Sequence, residues 1–333
     1  MKKFINNVDN VLVESLSGFA SAHHDLVSLN LEPNYITRKH KAKNKVAIIS
    51  GGGSGHEPLH AGYVGYGMLD AACPGHVFSS PTPDQMLAAA EAVHANKGVL
   101  FIVKNYAGDV MNFEMAGEML AVEHATVLTS DDCAVINSTY TTGRRGVAGT
   151  VIVEKCVGSL AETGASLQAC KTLGEKVNGR TASIGVALTS CTVPAAGRPT
   201  FDIGDNEIEM GVGIHGEPGR RREAMRGADA IVADCVAAIV ADLENTLNAD
   251  SSRDILLLVN GLGATPLMEL YLIYNTAAKL LGDAGLNISR SLVGNYTTAI
   301  DMSGVSITVC LLDDEIKQHW DSPVHTPALR WGM

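Results

Sequence analysis

Five short runs of β-branched and apolar residues stand out along the chain, at 45–49, 99–104, 183–188, 254–259 and 305–311, and each reads as a buried strand. Between them the apolar positions switch to helical spacing. Residues 82–95 open with a threonine, a proline and an acid, the signature of a helix N-terminus. Segments 113–124, 148–162, 222–248 and 266–284 continue the helical pattern, the last with proline at its start. This alternation predicts an α/β fold with largely parallel or mixed sheets flanked by helices. A glycine- and proline-bearing stretch at 191–207 carries turn signals and no helical period. It predicts a boundary near residue 185, with an N-terminal α/β domain over 1–185 and a C-terminal one over 186–333. Polar, glycine-rich segments follow the strands at 51–58, 105–109, 211–219 and 260–265, where the ligand sites of parallel sheets lie.

Composition narrows the function. The chain has 333 residues, 18% charged and 46% apolar, with 34 glycines, which excludes a disordered or fibrous protein and leaves room for two cores. A net charge of −11 with 5% aromatics disfavours nucleic acid and anionic membrane surfaces as partners. Seven scattered cysteines without a CxxC pair suit a reduced, cytoplasmic protein. Asn6, Asn7, Asp9, Asn10 and Glu14 interrupt any signal-peptide core, and Asp234 and Asp242 cut the best apolar run.

Three motifs invite familiar chemistry and fall short of it. His56-Glu57-Pro58-Leu59-His60 matches the HExxH zinc signature, but that signature needs a helix. Five residues of glycine and serine precede it and Pro58 holds Glu57 extended. Residues 211–216 match GxGxxG, yet Glu217-Pro218-Gly219 follows where a dinucleotide fold needs a helix, so a turn is predicted. The run 51–56, GGGSGH, lacks the Gly-Lys-Ser/Thr ending of a phosphate loop. What lifts these segments above plain turns is the reactive group each carries. Ser54 and His56 lie in the first, Lys104, Asn105 and Asp109 at the second, His215 and Glu217 in the third. Glycine lets backbone approach a small ligand, while histidine and aspartate supply acid, base or nucleophile. The combination suits a small polyol or carbonyl compound.

These segments resemble one family, the dihydroxyacetone-binding subunits of dihydroxyacetone kinase. The resemblance rests on GGGSGHEPLHAGYVGYGMLDAACPG (51–75), FSSPTPDQM (78–86), VKNYAGDVMNFEMA (103–116), GRRGVAGT (143–150), CTVPAAGRP (191–199), GVGIHGEPG (211–219), NGLGATPLMELY (260–271) and SPVHTPALRWG (322–332). It implies two α/β domains with the substrate between them, and a homodimer. It implies that the His215 imidazole adds to the ketone carbon of dihydroxyacetone and holds it as a hemiaminal, which a glycerol molecule cannot form. Further contacts to the substrate are implied for Gly53, Ser54, Gly55, His56, Lys104 and Asp109. His56 would take the hydroxyl proton, with Asp109 hydrogen-bonding or sharing that role. His60 is left to packing or to support of the site.

Single-chain members carry a helical nucleotide-binding domain after this module, and here the sequence stops after HTPALRWG. The resemblance therefore implies no cofactor on this chain, with ADP or ATP and Mg on a separate helical subunit recharged by a phosphotransferase-system phosphocarrier protein. The reaction would be that of a phosphoenolpyruvate-glycerone phosphotransferase. The alternative is a dihydroxyacetone-sensing paralogue that serves a transcription factor as coactivator, sharing His215. Retention of His56, Lys104 and Asp109 favours the enzyme. Arg220, Arg221, Arg222 and Arg226 stand out on an acidic chain and read either as a solvated helix start or as the border of a docking surface.

Overall fold

A computed structural model describes residues 2–135, 138, 141–249 and 252–333. The first sheet holds β1 (Val27–Leu31), β2 (Asn34–Arg38), β3 (Ala47–Ser54), β4 (Ala71–Val77), β5 (Val99–Lys104) and β6 (His124–Thr129), in the order β1-β2-β4-β3-β5-β6. Strands β4, β3, β5 and β6 run parallel, and β2 and β1 extend the sheet antiparallel. The second holds β7 (Thr181–Ala187), β8 (Glu207–Met210), β9 (Arg221–Ala224), β10 (Asp254–Gly261), β11 (Asn287–Gly294) and β12 (Gly304–Leu311), ordered β11-β10-β12-β7-β8-β9. Only β10 and β11 pair in parallel there. A small ribbon of β13 (Val324–His325) and β14 (Arg330–Trp331) closes the chain. The α/β class with mixed sheets is the observed one. Residue 185 lies inside β7.

Among the described residues eight α-helices surround the sheets: α1 (Val11–Ala22), α2 (Pro83–Val93), α3 (Ala107–Met119), α4 (Gly149–Glu162), α5 (Leu167–Gly179), α6 (Ala228–Ala249), α7 (Leu267–Asp283) and α8 (Asp314–Asp321). Helix α2 follows its sequence signal, with Thr82 and Gln85 forming a capping box and Pro83 at the first turn. Helix α4 is buried along almost its whole length, the mark of a helix covered on every face. It packs on β3, β5 and β6 on one side and on β7, β12 and α8 on the other. Its Val151, Ile152 and Val157 share one apolar cluster with Ile48 and Leu100 of the first sheet and with Leu256 and Leu258 of the second. The two sheets are joined through this helix. Among the described residues no helix is long and apolar enough to cross a membrane, and all seven cysteines are free and buried.

Three boundaries differ from the expected ones, each for a local reason. Strand β3 does not stop before the glycines but runs through them to Ser54. Its neighbours crowd it: a Cβ on Gly51 would lie 2.6 Å from the Cys73 carbonyl oxygen, and one on Gly53 2.6 Å from the Ser79 nitrogen. The helix expected over 113–124 runs instead over Ala107–Met119, because β6 claims His124. The helix expected from 222 begins at Ala228, and Arg221–Ala224 is the edge strand β9. Glu209 opposite Arg222, with side chains 3.3 Å apart, favours that pairing.

Candidate functional site

Strand β5 ends at Lys104, and the chain turns through Asn105 and Tyr106 into α3, whose first turn carries Asp109. Beside it β3 ends at Ser54, so both strands deliver polar groups at their C-terminal ends, as parallel sheets do. The hairpin between β8 and β9 reaches over from the second sheet with His215 and Glu217. The left-handed residues Gly211 (φ +81°) and Gly216 (φ +80°) shape this turn, and no helix follows it. Arg145, fully buried, holds the hairpin from behind. Its guanidinium donates to the Gly211 carbonyl at 2.8 Å and to Asp132 at 2.7 Å.

The two histidines meet nitrogen to nitrogen. His56 Nε2 lies 3.0 Å from His215 Nε2. His56 Nδ1 is 2.7 Å from the Thr298 carbonyl oxygen, which can only accept, so Nδ1 carries the hydrogen and Nε2 a lone pair. His215 Nδ1 lies 3.0 Å from a Glu217 carboxylate oxygen, and the other Glu217 oxygen accepts from the His215 backbone N–H at 2.9 Å. Burial alone would raise the Glu217 carboxyl, but the adjoining His215 and then Arg145 hold it down at about 2. It is a carboxylate, so His215 Nδ1 also donates. The two Nε2 atoms thus face each other across 3.0 Å, close enough to hand a proton from one ring to the other. Burial, then His215 and Lys104, push the His56 pKa well below the ordinary 6.5, which keeps this ring neutral.

Aromatic rings fix both imidazoles. Phe78 stacks on His56 with centroids 4.9 Å apart, and its ring meets His215 edge-on at 5.0 Å. Tyr106 meets His215 from another side at 4.7 Å. A cavity of about 770 Å³ opens here, lined by Gly53, Phe78, Tyr106, Asp109, His215 and Glu217 among others. Lys104 lies behind it, fully buried, with its ammonium 3.5 Å from Asp109 Oδ2. Asp109 Oδ1 and the Tyr106 hydroxyl are buried without a hydrogen-bond partner, polar atoms that a ligand could satisfy.

His56, Lys104, Asp109, Gly53 and His215 are thus brought together. Ser54 and Gly55 are turned elsewhere. The Ser54 hydroxyl donates to the Gly75 carbonyl at 2.7 Å and the Gly55 N–H to the Glu57 carboxylate at 3.0 Å. Both line a neighbouring apolar cavity of about 560 Å³ under α1. Sequence reasoning named Glu217 only as a polar neighbour and missed Phe78, Tyr106, Arg145 and Thr298. All but Thr298 lie in motifs that were recognised whole, and Thr298 acts through its backbone, which no side-chain pattern reveals. Among the described residues no group of three or more His, Cys, Asp or Glu is placed to hold a metal ion. Residues 55–60 form turns rather than a helix, and His56 and His60 face different partners. Three of the four clustered arginines pair with acids of the chain, and the fourth with backbone carbonyls. Arg220 donates to the carbonyls of Cys133 and Ala134, Arg222 pairs with Glu209, and Arg221 and Arg226 share Glu223 and Asp234.

Known proteins are similar to this chain over nearly its whole length. The dihydroxyacetone-binding subunit of the PEP-dependent dihydroxyacetone kinase of Escherichia coli is 49% identical over 100% of both chains. The corresponding subunit of PTS-dependent dihydroxyacetone kinase 1 of Listeria innocua is 48% identical over 95% of each. A solved dihydroxyacetone kinase operon co-activator superposes with a TM-score of 0.86 at 34% identity, covering 95% of this chain and 97% of that one. The model of the Dak1 domain matches residues 17–328, and with full-length relatives near half identical the chain belongs to the Dak1 domain family.

Proposed function

We propose that this chain is the substrate-binding subunit of a dihydroxyacetone kinase, holding dihydroxyacetone as a hemiaminal on His215 Nε2 while a phosphoryl group is transferred to its terminal hydroxyl. The observation that carries this reading is the His215 ring on the cavity wall with its Nε2 3.0 Å from that of the buried His56 behind it. His56 takes up one proton from solvent, and His215, with its hydrogen on Nδ1, presents the Nε2 lone pair. His215 Nε2 then bonds to the ketone carbon, the C=O π pair moves to oxygen, and the proton returns from His56 to make the hemiaminal hydroxyl. One proton enters and one is consumed. The alkylated imidazole keeps its positive charge, which the Glu217 carboxylate at 3.0 Å balances.

His56 ends neutral, with its lone pair available to the proton of a terminal substrate hydroxyl as that oxygen attacks phosphorus. Asp109, with its unpartnered oxygen on the cavity wall, orients the same hydroxyl or shares the proton. Covalent anchoring supplies position and selection together: a carbonyl is needed to form the bond, so glycerol is rejected. The cavity of about 770 Å³ is of the size that takes drug-sized ligands, so a triose leaves room for a phosphoryl donor. We assign that donor, a nucleotide with Mg, to a separate helical subunit recharged by a phosphoenolpyruvate-dependent phosphocarrier. A cytoplasmic homodimer belongs to the same reading.

Mass spectrometry of the intact chain with dihydroxyacetone tests the adduct: a gain of one whole substrate is expected, and none in His215→Ala. Mixing the chain with the helical subunit, the phosphocarrier, phosphoenolpyruvate and dihydroxyacetone then tests turnover. The likeness to the operon co-activator supports one second reading, a dihydroxyacetone-responsive coactivator. An adduct without product would select it.

A further inference from the structure

Behind the cavity runs a second buried chain of polar groups that the reaction above does not use. Its members are Glu154 on α4, Ser50 on β3, His60 in the turn after β3, and Lys104. The Ser50 hydroxyl donates to the Ile102 carbonyl at 2.6 Å, so towards His60 Nδ1, 2.9 Å away, its oxygen can only accept. Glu154 Oε1 lies 2.6 Å from the same Nδ1. The Lys104 ammonium, 3.0 Å from Nε2, can only donate, so Nε2 turns its lone pair to it and Nδ1 carries the hydrogen, towards Ser50 and Glu154. Burial, then Lys104 and His56, press the His60 pKa well below 6.5, which keeps this ring neutral. The space for the contact is provided by Gly52, where a Cβ would lie 2.2 Å from Lys104 Nζ.

We propose that His60 and Glu154 are positioning residues for Lys104: Glu154 and Ser50 fix the His60 tautomer, and His60 Nε2 holds the ammonium beside Asp109 for the substrate. The inference rests on the proposed dihydroxyacetone site. The triad resembles in logic a carboxylate that sets the tautomer of a catalytic histidine, with lysine in place of a nucleophile. Other titratable groups face it. Tyr63 lies near Glu154, Asp109 lies 3.5 Å from Lys104, and His56 lies close enough to feel both Lys104 and His60. Burial pushes the Glu154 carboxyl up to about 8, so its charge changes near neutral pH. Its second oxygen has no partner.

The test is Glu154→Gln, whose amide removes the charge and can present N–H to His60 Nδ1, favouring the wrong tautomer. In the reconstituted kinase kcat should fall at least about 10-fold at pH 9, where Glu154 is ionised, and by less at pH 7, so that the loss grows with pH. The His215 adduct should still form at saturating dihydroxyacetone. In a Lys104→Ala background, Glu154→Gln should change kcat less than about twofold, because its effect passes through Lys104. An unchanged pH profile, or full additivity with Lys104→Ala, would overturn the inference while leaving the hemiaminal reading intact. Failure of the unaltered chain to form the adduct would instead sink that reading and this one with it. Should Glu154→Gln not fold, ¹⁵N NMR of the unaltered chain decides: an Nδ1–H His60 is expected, and an Nε2–H form refutes the proposal.

Discussion

His56 and His215 sit nitrogen to nitrogen at the meeting of the two sheets, yet each is held by a different kind of group. His56, at the end of the β3 glycines, is 1% exposed and hydrogen-bonds a neutral carbonyl, that of Thr298. His215, in the β8–β9 hairpin, is 19% exposed on its side chain and hydrogen-bonds a carboxylate, Glu217. A carbonyl fixes a tautomer and favours the cation only weakly, and burial outweighs it to keep His56 a neutral base. A carboxylate fixes a tautomer and also stabilises positive charge, which suits the ring we propose to be alkylated. One residue type thus performs two tasks, divided by what stands behind each ring. The two holds also cross: Thr298 comes from the second-sheet half and grips the first-sheet histidine, while Arg145 from between the sheets grips the second-sheet hairpin.

The comparison breaks most completely at His215→Ala, where adduct and turnover should both vanish; a surviving adduct would move the nucleophile elsewhere. Next in size is Arg145→Met. It leaves Asp132 buried without its 2.7 Å partner, and urea unfolding should register a loss of about 3 to 5 kcal/mol. Equal stability would show that the hairpin does not depend on that anchor. Glu217→Gln keeps shape but removes charge, and a loss of about 10²-fold in kcat/KM is expected from the misplaced tautomer. If turnover were hardly changed, the carboxylate would not be what separates the two histidines.

The smallest effect concerns pH. The folded pKa of His56 lies below its unfolded value, so between the two the unfolded chain binds the extra proton. Its stabilising contribution is therefore whole above pH 6.5 and declines as pH falls through the folded pKa, by at most about 1.4 kcal/mol per pH unit. His60 has the same direction. Thermal unfolding should show Tm falling below pH 6.5, with a shallower fall in His56→Asn. An equally steep fall in that variant would place the titration elsewhere.

Much of the fold was legible because buried strands and capped helices leave periodic signals. The strand at 99–104 coincides with β5, and α2 carried its cap, proline and acid in order. Of the two sheets' strands, β1, β2, β4, β6, β8, β9 and β11 went unmarked. β4 contains Pro74 and Gly75, and β11 is an edge strand with polar Ser289, Arg290 and Ser291. Helix α3 was misplaced because its amphipathic signal is faint: Met111, Met115 and Met119 lie exposed on it. In the site, side chains with obvious chemistry were found, whereas those that orient them were not, since orientation depends on contacts between distant segments.

From the sequence alone came the α/β class, the family resemblance and the reactive residues His56, Lys104, Asp109 and His215, because these depend on residue type and on short-range spacing. Tertiary structure decided which nitrogen faces which partner. Thr298 lies 242 positions from His56 in the chain and Glu154 lies 94 from His60, and only folding brings such groups to hydrogen-bonding distance. Those contacts fix the tautomers, and the tautomers separate a base from a nucleophile between two identical side chains.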